Sequence, residues 1–312
     1  MKKCLVILFI LVGFSLIYSE EVRLKPYILA GIEKGDDINV AVEKVEKILT
    51  ENEFEIVGKY SPLKQDKKRV VICATHEILK KAVKKFIDKE EGLIALATVT
   101  RFAIFKEGEK IEISYRNLLY WGNAYFRKDF PKVEKDYLSL SAKIEEMFKG
   151  LSFVRNRPFG SKNGLTVKKL RKYHFGIFFP YFDDVIELAE DINYDEAIKK
   201  IEDNFSKNLG KTEKVYSISY PDKKLTVYGG ALTDKKFGAD YFLTYLDTKS
   251  TKRDAYLPYE FLVMKDKIVM FNGKFFMTLA YPDAGMGTWF KIIKGNKYTR
   301  KCFESVIGVE ED

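Results

Sequence analysis

The stretch Arg101–Lys106 reads RFAIFK, and it returns later in the chain as Glu260–Lys265, which reads EFLVMK. Two further pairs occur in the same order: INVAVEKV at 38–45 with INYDEAIK at 192–199, and DKKRVVI at 66–72 with DKKLTVY at 222–228. The members of each pair lie about 155 residues apart, and matches in constant order at nearly constant spacing are typical of an internal duplication. The sequence therefore predicts a tandem repeat.

Each copy combines helical and strand periodicity. Val42, Val45 and Leu49 share one face of a first helix, as Ile201 and Phe205 do in the second copy. A second helix in the later copy is predicted to bury Phe237, Tyr241, Tyr245 and Leu246. The predicted strands are 55–60, 70–74, 99–105 and 110–115, with counterparts at 215–220, 225–228, 259–264 and 267–271. We therefore expect an α+β fold of two related two-layer domains, each a mostly antiparallel sheet with helices on one face.

Composition excludes several classes of protein. With 46% hydrophobic and 14% aromatic residues, the chain of 312 residues is too apolar to be disordered. Three Cys are too few for a disulfide scaffold. Usage rich in Lys and Glu, with Gln65 as the only Gln, favours a thermophilic source.

The N-terminus has the pattern of a secretory signal peptide. Lys2 and Lys3 precede an apolar run from Cys4 to Tyr18, and Ser19 is followed by two Glu. A charged start, a short apolar core and a small residue are the features of a cleaved leader. We predict a signal peptide over residues 1–19, cleavage near Ser19, and a periplasmic or secreted protein. The alternative is retention of the apolar run as an N-terminal membrane anchor.

The predicted domains are 20–150 and 173–312, packed as an internal pseudo-dimer, with a connector at 151–172. All charged residues of the connector are Lys or Arg: Arg155, Arg157, Lys162, Lys168, Lys169, Arg171 and Lys172. The formal charge of +9 is therefore concentrated there, and we expect no nucleic-acid partner. Contact of the connector with an anionic membrane surface stays open.

Several segments resemble a known family. They are 49–58 (LTENEFEIVG), 70–73 (VVIC), 100–105 (TRFAIF) and 257–263 (LPYEFLV). They are similar to the domain of unknown function numbered 302, a small bacterial and archaeal α+β domain. The tract Tyr281–Ile292 resembles longer exported members with two copies. Tyr259 and Thr100 stand where members often have Cys, and the resemblance implies a fold without assigning an activity.

Candidate chemistry centres on few residues. Cys73 and His76 form a C-x-x-H pair where a strand meets a helix, which suggests either a redox or metal site or a buried Cys beside a helix cap. Cys302 offers Cys73 a disulfide partner in an oxidising compartment, although both can equally be free. Tyr259 and Trp289 are candidate binding residues among the many aromatics. No ligand set for a metal and no cofactor motif is recognised.

These features favour a non-catalytic exported protein that binds a small apolar ligand or a protein partner. The alternative is a redox or metal-dependent factor that uses Cys73 and His76.

Overall fold

A computed structural model describes residues 21–63, 67–234 and 238–309. The predicted signal peptide, with its cleavage site near Ser19, lies outside these residues, as does Phe237. Among the described helices, none has the length and apolarity required to cross a membrane.

The elements follow each other in the same order in both halves. The first half and connector contain β1 (Arg23–Leu24), β2 (Tyr27–Lys34), α1 (Ile38–Glu51), β3 (Phe54–Tyr60), β4 (Arg69–His76), α2 (Glu77–Lys84), β5 (Thr100–Glu107), β6 (Lys110–Arg116), α3 (Leu118–Phe126), α4 (Glu134–Met147), β7 (Phe153–Phe159), β8 (Leu165–Thr166) and α5 (Val167–Arg171). The second half contains β9 (Ile186–Ala189), α6 (Tyr194–Ser206), β10 (Thr212–Tyr220), β11 (Leu225–Leu232), α7 (Ala239–Leu246), β12 (Tyr259–Met264), β13 (Lys267–Met270), α8 (Gly273–Ala280) and α9 (Met286–Ile307). Short 3₁₀ helices span Glu90–Thr98, Arg127–Lys132, Leu209–Lys211, Pro221–Lys223 and Asp254–Tyr256.

Two antiparallel sheets form the frame of the molecule. The first is six-stranded in the order β3-β4-β5-β6-β2-β7, and the second is five-stranded in the order β10-β11-β12-β13-β9. Apart from β7, strands that correspond in sequence order between the two halves also occupy corresponding positions in the two sheets. The predicted α+β class with mostly antiparallel sheets is confirmed.

The strand period of two assigns the sheet faces. Phe102 points to the helices, where its ring centroid lies 6.0 Å from that of Phe148, and Phe261 likewise lies 5.0 Å from Phe303 of α9. Their neighbours Arg101 and Glu260 point the other way and meet in an ion pair. The two sheets therefore face each other with helices outside, and their buried side chains belong to one continuous core.

The periodic helices are where the sequence predicts them. In α1 the buried residues include Val42, Val45 and Leu49. At the start of α6 the Asn193 side chain accepts hydrogen bonds from the backbone N–H groups of Asp195 and Glu196, which leaves fewer unpaired donors in the first turn.

The buried face predicted for α7 is correct for Leu246 and wrong for the two tyrosines. Phe242, Leu243 and Leu246 are buried, whereas Tyr245 is 36% exposed and Tyr241 is half-buried. The tyrosines were expected inside because they share a helical stripe. Their hydroxyls instead reach the surface, where the Tyr241 hydroxyl donates to the Lys291 carbonyl.

The connector is folded rather than an extended link. Its strand β7 pairs with β2 and closes the edge of the first sheet, and β8 pairs with β1. The acidic stretch that follows the connector contains β9, which pairs with β13 at the edge of the second sheet.

Candidate functional site

Cys73 and His76, the pair singled out by the sequence, are not brought together. They lie three residues apart on β4, so their side chains point to opposite faces of the sheet. Cys73 is fully buried between the sheets beside Arg101, and burial raises the pKa of its thiol to about 12. A thiol in this state is neutral at ordinary pH, whereas reactive cysteines have a lowered pKa.

His76 acts as the N-cap of α2. Its Nδ1 accepts a hydrogen bond from the Ile78 backbone N–H at 3.1 Å, and its Nε2 lies 3.4 Å from Lys143 Nζ. Burial, together with the Lys143 charge, lowers the pKa of His76, so the ring stays neutral and keeps its acceptor nitrogen. Within the described ranges, no group of three or more His, Cys, Asp or Glu is arranged to hold a metal ion.

The disulfide considered between Cys73 and Cys302 is not formed in this structure. Both thiols are free and buried. Cys302 lies in α9 near Tyr298 and Thr212, and burial raises the pKa of its thiol to about 11. The two thiols therefore belong to different surroundings: Cys73 to the space between the sheets and Cys302 to the outer helix.

Tyr259 and Trp289 are packing residues. The Tyr259 hydroxyl lies 3.3 Å from that of Tyr256, and both rings are buried. Trp289 Nε1 donates to the Ala284 carbonyl at 3.0 Å, while its ring contacts Phe175 and Phe179. Their polar atoms are used inside the protein.

A buried polar network joins the two sheets. Arg101 Nη2 lies 2.7 Å from Glu260 Oε2 and 3.1 Å from the Tyr216 hydroxyl, which itself donates to Glu260. Gly229 leaves room for this tyrosine, because a Cβ added there would lie 2.3 Å from the Tyr216 ring.

A second buried group ties the loop after α7 to the first sheet. Arg69 Nη1 lies 2.7 Å from Asp254 Oδ1 and 3.1 Å from Asp247 Oδ2. Burial raises the pKa of Asp254 to about 7 despite the nearby Arg69 charge, and burial also raises the pKa of Asp247. One guanidinium thus holds both ends of the segment 247–254.

That segment forms one wall of a cleft with a volume of about 800 Å³. The other walls are the connector loop 157–163 and the segment 281–288 around the start of α9. We call it the cationic cleft, because its lining contains one carboxylate, Asp283, and the basic residues Lys25, Arg157, Lys162, Lys249 and Arg253.

Arg253 and Tyr281 supply buried polar groups to this cleft. Arg253 is 8% exposed, and its guanidinium carbon lies 4.9 Å from the Tyr281 ring centroid. Within residues 21–63, 67–234 and 238–309, Arg253 Nε and the Tyr281 hydroxyl are buried without a hydrogen-bond partner. Unpaired buried donors are costly, so such groups are commonly completed by water, an ion or a ligand.

Asp283 is already engaged by the connector loop. Its Oδ1 accepts from Ser161 Oγ at 2.9 Å, and its Oδ2 accepts from the Lys162 backbone N–H. The carboxylate therefore fixes the loop that carries Lys162. In the sequence, Arg157 and Lys162 stood out as part of the basic connector, and Tyr281 and Asp283 only as part of the tract that resembles longer exported members. Arg253 carried no local signal.

Comparisons with known proteins add a limited likeness. No family model matches the chain, and a search of curated proteins likewise finds no match. Among solved structures, the chain is similar to an uncharacterized conserved protein, DUF302, from Bacillus stearothermophilus, with 10% sequence identity and a TM-score of 0.32. The match covers 39% of this chain and 94% of the other. A structural neighbour thus belongs to the family that the sequence resembles, while the two-copy form stays a prediction.

Proposed function

We propose that the chain is an exported, two-copy, non-catalytic binding protein whose small ligand occupies the cationic cleft. The observation that carries the proposal is Arg253, a nine-tenths buried cation without an ion pair in the described chain, on the wall of an 800 Å³ cleft. Clefts of several hundred Å³ with a few convergent polar groups are the usual form of small-molecule sites.

Three observations support the two-copy form. The sequence repeats recur at constant spacing, and the two sheets share the strand order of their common strands. Arg101 and Glu260 begin the matched segments and pair across the sheets, as expected if two copies pack about a pseudo-twofold axis. Export, and a thermophilic source, rest on the N-terminal pattern and on the composition alone.

The structure changes the ligand class that we favour. The sequence led us to expect an apolar ligand because aromatic residues are so numerous. Trp121, Tyr256 and Phe276, among many others, are buried in ring contacts with each other and with neighbouring side chains. The cationic cleft is instead lined by basic and hydroxyl-bearing side chains, which favours a polar ligand.

The test is native mass spectrometry of the full chain purified from its source organism, with two matched variants. Arg157 lines the cleft, whereas Arg155 lies on the same strand, β7, and does not line it. We expect a small molecule to accompany the wild type and R155Q and to be depleted in R157Q. A ligand retained equally by both variants would place the binding site elsewhere.

A second candidate function is contact with an anionic membrane surface, alone or alongside ligand binding. Ile177 and Phe178 are 92% and 85% exposed, and they follow the exposed Lys168 and Lys169 in the chain. Exposed apolar side chains near basic ones are typical of interfacial binding. We expect the protein to float with phosphatidylglycerol vesicles. Flotation should be lost in about 0.5 M salt, which screens surface charges, and in the K168Q/K169Q variant. Equal flotation with neutral vesicles would contradict this candidate.

A further inference from the structure

We infer that the cationic cleft binds a phosphoryl group carried by a small molecule, an inference that rests on the proposed function and names its ligand class. It follows from the charge of the lining, the kind of polar atoms presented, and a difference between the two halves.

The lining is strongly cationic: Asp283 is the one carboxylate among its described residues, and the charge of Arg253 also acts on the buried Asp247. No salt bridge involving Lys25, Arg157, Lys162, Lys249 or Arg253 is found within the described residues. Asp283 is held by two donors of the connector loop, Ser161 Oγ and the Lys162 backbone N–H. A ligand that enters the cleft therefore meets a surplus of positive charge.

The polar atoms available to a ligand are mainly donors. Arg253 lines the cleft, and both its Nε and the Tyr281 hydroxyl are buried at the wall without a hydrogen-bond partner among the described residues. The N-terminus of the 22-residue helix α9 also borders the cleft through Gly285 and Thr288, and no side chain caps its first turn. Helix N-termini present free N–H groups and a partial positive charge, which suit phosphate oxygens.

At the corresponding place in the first half, the carboxylate is paired with lysines. Asp129 lies three residues after α3, as Asp283 lies three residues after α8. Lys89 Nζ lies 3.1 Å from Asp129, and Lys132 also pairs with it, so cations and carboxylate neutralise each other there. In the second half Asp283 is bound by the connector loop instead, and the cations of the cleft are left for a ligand.

A phosphoryl group fits this lining better than a carboxylate does. It has about two negative charges at neutral pH and three acceptor oxygens, enough to engage Arg253, the start of α9 and a lysine together. Each carboxylate group has one charge and two oxygens. A dicarboxylate such as succinate matches the total charge of phosphate but divides it between two separate groups, so more of these donors stay unpaired at any one point.

The experiment is isothermal titration calorimetry of the full chain with inorganic phosphate. Succinate is titrated in parallel as the carboxylate for comparison. We expect phosphate to bind more tightly than succinate, to weaken as NaCl is added, and to weaken about tenfold in R253Q, because a charge-assisted hydrogen bond is lost. R155Q should bind like the wild type. R157Q, an exposed site at which the fold is not at risk, should weaken binding too.

The outcomes separate the two proposals. The phosphoryl assignment is overturned if succinate binds as tightly as phosphate. It is also overturned if neither R253Q nor R157Q changes the affinity for phosphate. If inorganic phosphate does not bind but the co-purified molecule is still depleted in R157Q, the cleft remains the ligand site and only the ligand class is wrong. If neither ligand responds to the cleft variants, the proposed function itself fails.

Discussion

Arg101 and Glu260 show how one residue pair links the two halves. Arg101 is 0% and Glu260 8% exposed, and they occupy the first position of the matched sequence segments, the second residue of β5 and of β12. The two buried side chains contact each other and the Tyr216 hydroxyl. Arg101 Nε and Nη1 have no hydrogen-bond partner among the described atoms. Such a pair contributes little net stability, but loss of one member is expensive.

The first prediction follows from that asymmetry. Glu260→Gln leaves the Arg101 charge buried without its counter-ion, so the free energy of unfolding should fall by about 3–5 kcal/mol. Urea denaturation followed by circular dichroism measures this. The double variant R101M/E260M removes both charges and should recover most of the loss. A loss below about 1 kcal/mol in E260Q would mean that water or another group compensates Arg101.

The second prediction concerns pH and Asp254. Its pKa in the native state is about 7, above the ordinary value of 3.8, because burial outweighs the nearby Arg69 charge. Between these values the native protein binds more protons than the unfolded chain, so the free energy of unfolding should decrease as pH rises from about 4 to about 7. Above that range this contribution is lost.

Asp254→Asn should flatten this part of the profile, because the amide stays neutral and its oxygen still accepts from Arg69. Urea midpoints between pH 4 and pH 8 test the slope. Asp222→Asn, at a carboxylate that is 78% exposed, is the control and should keep the wild-type profile. An unchanged slope in D254N would assign the pH dependence to other groups.

At the scale of elements, predictability depends on whether one face of the element meets water. The helices α1, α4 and α6 have a wet and a buried side, and their periodicity locates them. In contrast, α3 is buried almost all round, so no period of 3.6 marks it in the sequence. The strand β9 was missed because Glu187 and its acidic neighbours make an exposed edge strand resemble a loop.

The candidate site was harder to predict than the fold. The cationic cleft is assembled from 157–163, 245–253 and 281–288, which are distant in sequence and have no repeated pattern. Cys73 and His76 are close in sequence, but the strand sends them to opposite faces. Sequence spacing predicts neighbours on one element; it does not predict which loops of different elements converge.

The third prediction addresses the contact between β3 and β10, the outer strands of the two sheets. A Cβ added at Gly58 would lie 2.2 Å from the Val215 carbonyl oxygen, so the close approach of the strands requires glycine. Gly58→Ala should lower the free energy of unfolding by about 1–3 kcal/mol, the cost typical of overpacking. Gly150→Ala is the control, since nothing lies within 4 Å of a Cβ there. Similar unfolding midpoints for both variants would show that the strands separate easily.

At the scale of the whole molecule, the halves complete each other's polar groups. Tyr27 and Tyr120 of the first half donate to the carbonyls of Ala280 and Leu279, and Tyr173 donates to that of Thr278. These are terminal carbonyls of α8, which have no partner within their own helix. In the other direction, Arg116 of β6 donates to the carbonyls of Ala255 and Tyr256, each at 3.0 Å.

The fourth prediction is that the two halves unfold as one unit. Separation would expose the continuous core and leave Arg101, Arg69 and the α8 carbonyls without partners, so a state with one half folded is strongly disfavoured. Differential scanning calorimetry should give one transition with equal calorimetric and van't Hoff enthalpies. E260Q should shift that transition downward without splitting it. Two transitions, with only one displaced by E260Q, would contradict a shared core and make the halves independent domains joined by the connector.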